Sequence, residues 1–299
     1  MSNSDVELTL EARPRDLGGF TVGRVLPAIG KKMVGPFAFL DHMGPASIDE
    51  MVVRPHPHIN LATVTYLFRG EVLHRDSLGS KQWITPGAIN WMSAGKAIAH
   101  SERIAKDGAQ HALHGLQLWV ALPKALEDSE PTFDHHPAAT LPELAEPGRT
   151  IRVLAGTAYG ATSPVKTVSP MFYADLALAP GATISMPDGY SERALYIVEG
   201  AVTIGAQRLD ARHMAVIANG ASPVITADGP VRMVVLGGEP LDGPRYIWWN
   251  FVSSSPDKIH EAAAKWRAGD WAKVFDDAVE FTPAPADGPR FTGERHESH

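Results

Sequence analysis

The sequence contains no cysteine, so it forms no disulfide and offers no thiolate as a metal ligand or nucleophile. It also has no run of about 18 apolar residues, the length that a membrane-spanning helix needs. The formal net charge of −7 leaves no basic excess, which disfavours direct nucleic-acid binding. Because the first residues are polar and acidic, we expect no signal peptide and a cytoplasmic location.

Motifs for nucleotide binding and serine hydrolysis are missing as well. The chain has no Gly-x-Gly-x-x-Gly, no Gly-x-x-x-x-Gly-Lys-Ser/Thr and no Gly-x-Ser-x-Gly. What it does have is 27 glycines and 24 prolines between short β-branched and aromatic segments. Frequent turns between short strands predict an all-β protein.

A change of composition divides the chain. Residues 123–149 contain five prolines and many acids, which is typical of a linker. We therefore predict a first domain at residues 1–125, a linker at 126–149 with at most one short helical turn, and a second domain at 150–290. The second domain includes the one convincing helix, predicted over residues 257–274. The charged tail, residues 294–299, is predicted to be disordered.

An internal repeat indicates that the two domains share one design. Tyr-Leu-Phe-Arg-Gly at residues 66–70 parallels Tyr-Ile-Val-Glu-Gly at residues 196–200, and a second glycine follows each at a similar distance. Two jelly-roll β-barrels in tandem explain both halves, since such barrels pair short antiparallel strands without long open edges.

Two short histidine motifs suggest chemistry in the first half. His56 and His58 form one i, i+2 pair, and His100 and Glu102 form another. Side chains two apart on a strand point to the same face, so each pair aims two potential ligands at one place. If the two strands are neighbours, three imidazoles and one carboxylate converge.

Such a ligand set is typical of one divalent metal ion, with Fe, Ni, Cu, Mn and Zn all open at this point. In an octahedral arrangement two neighbouring positions stay available for water or substrate. The positions equivalent to His56 and His58, counted back from the repeat glycine, are Met186 and Asp188 in the second half. We therefore expect the second barrel to hold no metal.

The other histidines have simpler interpretations. His74 lies beside a turn with Arg75 and Asp76, which favours a hydrogen-bonded loop rather than a ligand. Four residues are candidates to hydrogen-bond to the ligands and so fix the orientation of the imidazoles: Asn60, Thr63, Thr65 and His114. For both threonines an ordinary strand position is the preferred interpretation. Histidines with no expected role in the site are His135, His136, His260, His296 and His299.

The residues resemble the pirin family of the cupin superfamily over nearly the whole chain. The segments that bear the resemblance are GPFAFLDHMGP (35–45), HPH (56–58), ATVTYLFRGEVLHRDSLG (62–79), PGAINWMSAGKAIAHSE (86–102), HGLQLWV (114–120) and RYIWWNFVSS (245–254). The resemblance implies two cupin barrels with one metal, usually iron, in the first. It maps the ligands onto His56, His58, His100 and Glu102.

Several positions depart from the family pattern. Asn60, Leu61 and Ala62 stand where many members have Gly-Phe-Glu, Arg69 stands where an acid is usual, and Ala121 replaces a common asparagine. None of these is a ligand, but we expect Asn60 and Arg69 to alter the pocket mouth, so the resemblance does not define the substrate.

Some pirins resemble flavonol dioxygenases, so the resemblance implies a quercetin 2,3-dioxygenase-type activity. A flavonol presents a 3-hydroxyl beside a 4-keto group, which suits two open metal positions. Glu102, the one carboxylate in the set, is a candidate base for the hydroxyl proton. Two alternatives stay open: a metal-dependent redox-sensing or regulatory protein that binds a protein partner, and an oxygenase or isomerase for another enol-type molecule.

Overall fold

The computed structural model describes residues 5–17, 20–48, 52–104 and 111–291. The predicted disordered tail, with His296 and His299, lies outside these ranges. The described chain folds into two tandem cupin barrels followed by a helix, which confirms the predicted all-β jelly-roll architecture. Among the described residues, no helix has the length and apolar character needed to span a membrane.

The first barrel is built from a seven-stranded sheet in the order β12-β9-β6-β11-β4-β3-β2 and a four-stranded sheet in the order β5-β10-β7-β8. The strands up to this point in the chain are β1 (Val6–Glu11), β2 (Arg13–Asp16), β3 (Thr21–Leu26), β4 (Phe37–Ile48), β5 (Val52–His58), β6 (Leu61–Arg69), β7 (Val72–Asp76), β8 (Lys81–Ile84), β9 (Ile89–Ser93), β10 (Ile98–Arg103), β11 (His111–Ala121) and β12 (Thr132–His136).

The second barrel repeats this plan with an eight-stranded and a four-stranded sheet, and a two-stranded hairpin and the helix α1 follow it. The elements are β13 (Glu143–Glu146), β14 (Arg149–Ala158), β15 (Ala161–Thr162), β16 (Met171–Leu178), β17 (Thr183–Ser185), β18 (Glu192–Glu199), β19 (Ala201–Ile204), β20 (Gln207–Asp210), β21 (His213–Ile217), β22 (Val224–Ala227), β23 (Val231–Gly238), β24 (Tyr246–Trp248), β25 (Phe251–Ser253) and α1 (Pro256–Ala268).

The repeat in the sequence corresponds to equivalent turns. Gly70 follows β6 with a φ of +86°, and Gly200 follows β18 with a φ of +83°. A Cβ at these positions would lie 2.4 Å and 2.3 Å, respectively, from a backbone carbonyl oxygen of the neighbouring segment. Only glycine fits both the dihedral and the close approach.

Residues 126–149 do not form the predicted linker. β12 pairs with β9 and extends the first barrel, whereas β13 pairs with β14 and extends the second. A 3₁₀ turn, Lys124–Leu126, lies between β11 and β12, and a second, Ala138–Thr140, connects β12 to β13. The prolines misled the prediction because they flank the two strands, at 131, 137, 142 and 147, and remove no N–H from either ladder.

Two other boundaries differ from the prediction. β1 belongs to the predicted first domain by position but pairs with β21 of the second barrel. The helix α1 begins at Pro256 and ends at Ala268, six residues before the predicted end. Gly269 ends it in the left-handed conformation, where its N–H donates to the carbonyls of Lys265 and Trp266.

The largest core lies between the two barrels. The outer faces of the first barrel's large sheet and the second barrel's large sheet pack together, so the barrels share one apolar layer. Fully buried residues of this layer include Val64, Tyr66, Leu116, Leu118, Leu154, Tyr173, Tyr196 and Leu236.

A polar chain crosses this apolar layer. His42 Nδ1 lies 2.7 Å from the Tyr196 hydroxyl, and His42 Nε2 lies 2.8 Å from His114 Nε2. Burial, with His114 and Arg212 nearby, lowers the pKa of His42 to about 3. His42 is therefore neutral in the folded protein at pH values where it is protonated in the unfolded chain.

This difference predicts a pH-dependent stability. As the pH falls from 6.5 towards 3, His42 should lower the free energy of unfolding by up to about 1.4 kcal/mol per pH unit. The reason is that His42 binds a proton in the unfolded chain at a higher pH than in the folded protein. A His42→Phe variant should lose this contribution and show a shallower slope. Urea unfolding between pH 4.5 and 8 measures both slopes, with exposed His260→Phe as the control. Equal slopes for wild type and His42→Phe would contradict the assignment.

Candidate metal centre

The two predicted histidine-bearing strands are neighbours. β5 pairs antiparallel with β10, and their register sets His56 opposite His100. The ring centroids of His56 and His58 lie 4.4 Å and 5.0 Å, respectively, from that of His100. The potential ligand atoms of these three buried histidines lie within 4.8 Å of one another, a group that could hold a metal ion.

Glu102, the fourth predicted ligand, is buried on the same strand but is not within that tight group of three. The register of β10 against β5 shifts between His100 and Glu102. The Thr65 hydroxyl lies 3.2 Å from Glu102 Oε1 and 2.9 Å from Gln117 Oε1, so its single proton has two candidate acceptors. Burial raises the pKa of Glu102, while His74 and the bond from Thr65 oppose this rise.

Backbone carbonyls fix the outer nitrogens of two imidazoles. His56 Nδ1 lies 2.9 Å from the Arg54 carbonyl oxygen, and His58 Nδ1 lies 2.9 Å from that of Asn250. A carbonyl oxygen only accepts, so each Nδ1 carries the proton. Each neutral ring therefore keeps its Nε2 lone pair, and that of His58 faces His100 Nε2 at 3.1 Å.

Burial keeps the three imidazoles neutral. It lowers the pKa of His56 to about 4 and holds the pKa values of His58 and His100 well below the usual range. Because a metal binds the unprotonated imidazole, no proton has to leave these rings before binding at neutral pH. Three neutral imidazoles with a nearby carboxylate suit a borderline divalent ion.

A distant part of the chain closes the site. The carbonyl of Asn250 comes from the turn between β24 and β25, and an isolated parallel bridge joins Ile59 to Phe251. In this turn Trp249 has a φ of 51°, which is uncommon for a residue other than glycine. Trp119 packs edge-on against the His58 ring at 5.3 Å between centroids.

Some of the polar residues singled out around the cluster contact the predicted ligands and others do not. Thr65 contacts Glu102, although an ordinary strand position was the preferred interpretation. His74 forms the predicted hydrogen bond in its loop, to Asp76, and in addition contacts His100. Asn60 instead donates to the carbonyls of Gly95 and Glu127, and His114 lies between the barrels.

Other singled-out positions lie away from the cluster. Arg69 is exposed at the end of β6. In the second barrel, Met186 is buried in the apolar core, while the Asp188 side chain is 82% exposed and lies 3.8 Å from Arg193. His135 bonds to Asn90 on the edge of the first barrel.

The contact between Thr65 and Glu102 gives a second prediction. In metal-free protein at pH 8, Thr65→Val should lower the free energy of unfolding by about 1 to 3 kcal/mol, because it removes a hydrogen bond to a buried carboxylate. Thr63→Val is the matched control, since Thr63 is equally buried two residues away on the same face. Urea unfolding compares the two variants, and equal losses would contradict a specific role for Thr65.

Two tandem cupin barrels with a buried three-histidine cluster in the first define a bicupin with a candidate metal centre. The pirin family model matches residues 19–120, and the pirin C-terminal cupin domain model matches residues 173–272. The chain belongs to the pirin family.

Relatives cover nearly the full chain. A pirin-like protein of Caulobacter vibrioides is 47% identical over 289 residues, which is 94% of this chain and 99% of the relative. Pirin of Homo sapiens is 31% identical over 279 residues, 88% of this chain and 93% of its own length. A crystal structure of quercetin 2,3-dioxygenase from Acinetobacter baumannii has a TM-score of 0.88 at 32% identity, covering 95% of this chain and 96% of that one.

Proposed function

We propose that the protein is a metal-dependent dioxygenase for quercetin or a related flavonol. One divalent metal ion, iron, is held by His56, His58, His100 and Glu102. The observation that supports this best is the buried cluster of three neutral imidazoles, two of which already present the unprotonated Nε2 that a metal needs. The likeness to the Acinetobacter quercetin 2,3-dioxygenase supports the choice of substrate class.

When bound, the metal supplies a Lewis acid for the 3-hydroxyl and 4-keto oxygens of the flavonol. The protein's own part begins with the proton of the 3-hydroxyl. Glu102 is the acceptor for this proton, because it is the one carboxylate of the ligand set and is buried on the same strand as His100. In the overall reaction dioxygen adds across the central ring, which opens with loss of carbon monoxide.

The surroundings of the cluster restrict water and hold its geometry. Trp119 covers one side of His58 and stacks on Phe39 at 4.0 Å between centroids. When the Thr65 hydroxyl donates to Glu102 rather than to Gln117, it orients the base that accepts the proton. Ligands and a base that are already fixed can hold a substrate in the orientation that its reaction requires.

Metal content and flavonol turnover together test this function. Protein purified without a metal-affinity tag should contain iron near one per chain, and His58→Ala should lose both the iron and aerobic quercetin consumption. His135→Ala is the matched control, a partly buried histidine of the same barrel outside the cluster. Turnover should stop without dioxygen. Equal turnover by wild type and His58→Ala would overturn the proposal. Iron binding without turnover would leave the regulatory alternative.

Glu102 has a separate test. Glu102→Gln keeps the shape and the oxygen that faces Thr65 but removes the base, so kcat for quercetin should fall by roughly 100- to 10,000-fold. Iron content of the same preparation distinguishes loss of the base from loss of a ligand. An unchanged kcat with full iron content would rule out Glu102 as the base.

A further inference from the structure

His100 differs from the other two histidines in what supports it. Its Nδ1 faces another side chain, His74 Nδ1, at 3.4 Å rather than a carbonyl. His74 lies on β7, which pairs with β10, and its other nitrogen, Nε2, lies 3.1 Å from Asp76 Oδ2. His74 and Asp76 are buried, and Phe133 stacks on the His74 ring at 4.4 Å and 11°.

The backbone fixes which way Asp76 faces. The amides of Leu78 and Ser80 both donate to Asp76 Oδ1, at 2.9 Å each. Oδ2 is left to accept from His74 Nε2, so His74 carries its proton there. The neutral His74 ring then has a lone pair on Nδ1, and the hydrogen bond between the two rings requires a proton on His100 Nδ1.

We propose that Asp76 and His74 are positioning residues that set the tautomer of His100 and leave its Nε2 free for the metal. This rests on the metal site of the proposed function but not on its substrate. His100 has two competing contacts: a proton on Nε2 would donate to His58 Nε2 at 3.1 Å, whereas a proton on Nδ1 donates to His74 and leaves two facing Nε2 lone pairs that a cation can occupy. Supports of this kind raise the basicity of a ligand and fix its orientation.

The series of hydrogen bonds from His100 to His74 to Asp76 is called the relay below. Asp76→Asn should reverse the direction of its hydrogen bonds. The two backbone amides would hold the Asn carbonyl oxygen, which would turn the NH₂ group towards His74 Nε2. His74 would then accept at Nε2, carry its proton on Nδ1 and donate it to His100. His100 would carry its own proton on Nε2, where the metal should bind. Asp76→Asn should therefore harm the site more than His74→Phe, which removes the relay without reversing it.

Two measurements test the relay. In metal-free wild type at pH 8, ¹⁵N NMR of the histidine rings should show His100 protonated at Nδ1 and His74 protonated at Nε2, and Asp76→Asn should exchange both. Affinity for nickel(II) alone, from competition with a chelator, should fall by about 10- to 100-fold in His74→Phe. It should fall further in Asp76→Asn.

Phe133→Leu is the control, because it alters the packing of His74 without altering the relay. It should keep the wild-type His100 tautomer and nickel affinity. The proposal is overturned if wild-type His100 is protonated at Nε2, a result that needs no variant to fold. Nickel affinity of both variants within twofold of wild type would also overturn it. Neither readout depends on flavonol turnover, so failure here and failure of the proposed function are distinguishable.

Discussion

The antiparallel pairing of β5 with β10 is the contact on which the rest of the site depends. It brings His56 and His58 from one strand against His100 from the other. Because side chains alternate along a strand, His56 and His58 point to the same face of the sheet. A slip of one residue would turn one pair to the opposite face and disperse the cluster. β7 lies on the other side of β10, so the same strand that offers His100 to the site also offers it to His74.

The C-terminal segment extends this dependence beyond the barrel. The Asn250 carbonyl orients His58, and the chain after α1 returns to the same sheet, where the Phe275 amide donates to the Asp76 carbonyl and the Thr282 amide to that of Pro55. Arg103 on β10 also pairs with Asp277. The sheet that bears the histidine cluster is therefore held in part by residues from the C-terminal segment of the chain.

Much of this could be predicted from the sequence because it is local. An i, i+2 histidine pair on a strand needs no tertiary information to face one way, and glycines such as Gly70 mark turns by themselves. The predicted domain boundaries were wrong where the partner of a strand determines which barrel the strand joins. β1 joins the distant barrel through β21, and β12 and β13, two short strands flanked by prolines, are stabilised by edge pairing that composition does not encode. The helix end at Gly269 had a local signal that the helical pattern outweighed.

The residues that hydrogen-bond to the predicted ligands were harder to predict, because they come from strands and turns that are distant in the sequence. Asn250 is 192 residues from His58, and Thr65 meets Glu102 only because β6 and β10 lie on facing sheets of one barrel. His74 shows the limit most clearly. Its neighbour Asp76 made a loop hydrogen bond predictable, but only the pairing of β7 with β10 reveals His100 on its other side. The local sequence thus predicts the hydrogen bond from His74 to Asp76. The contact of His74 with His100 depends on the strand pairing, which the local sequence does not show.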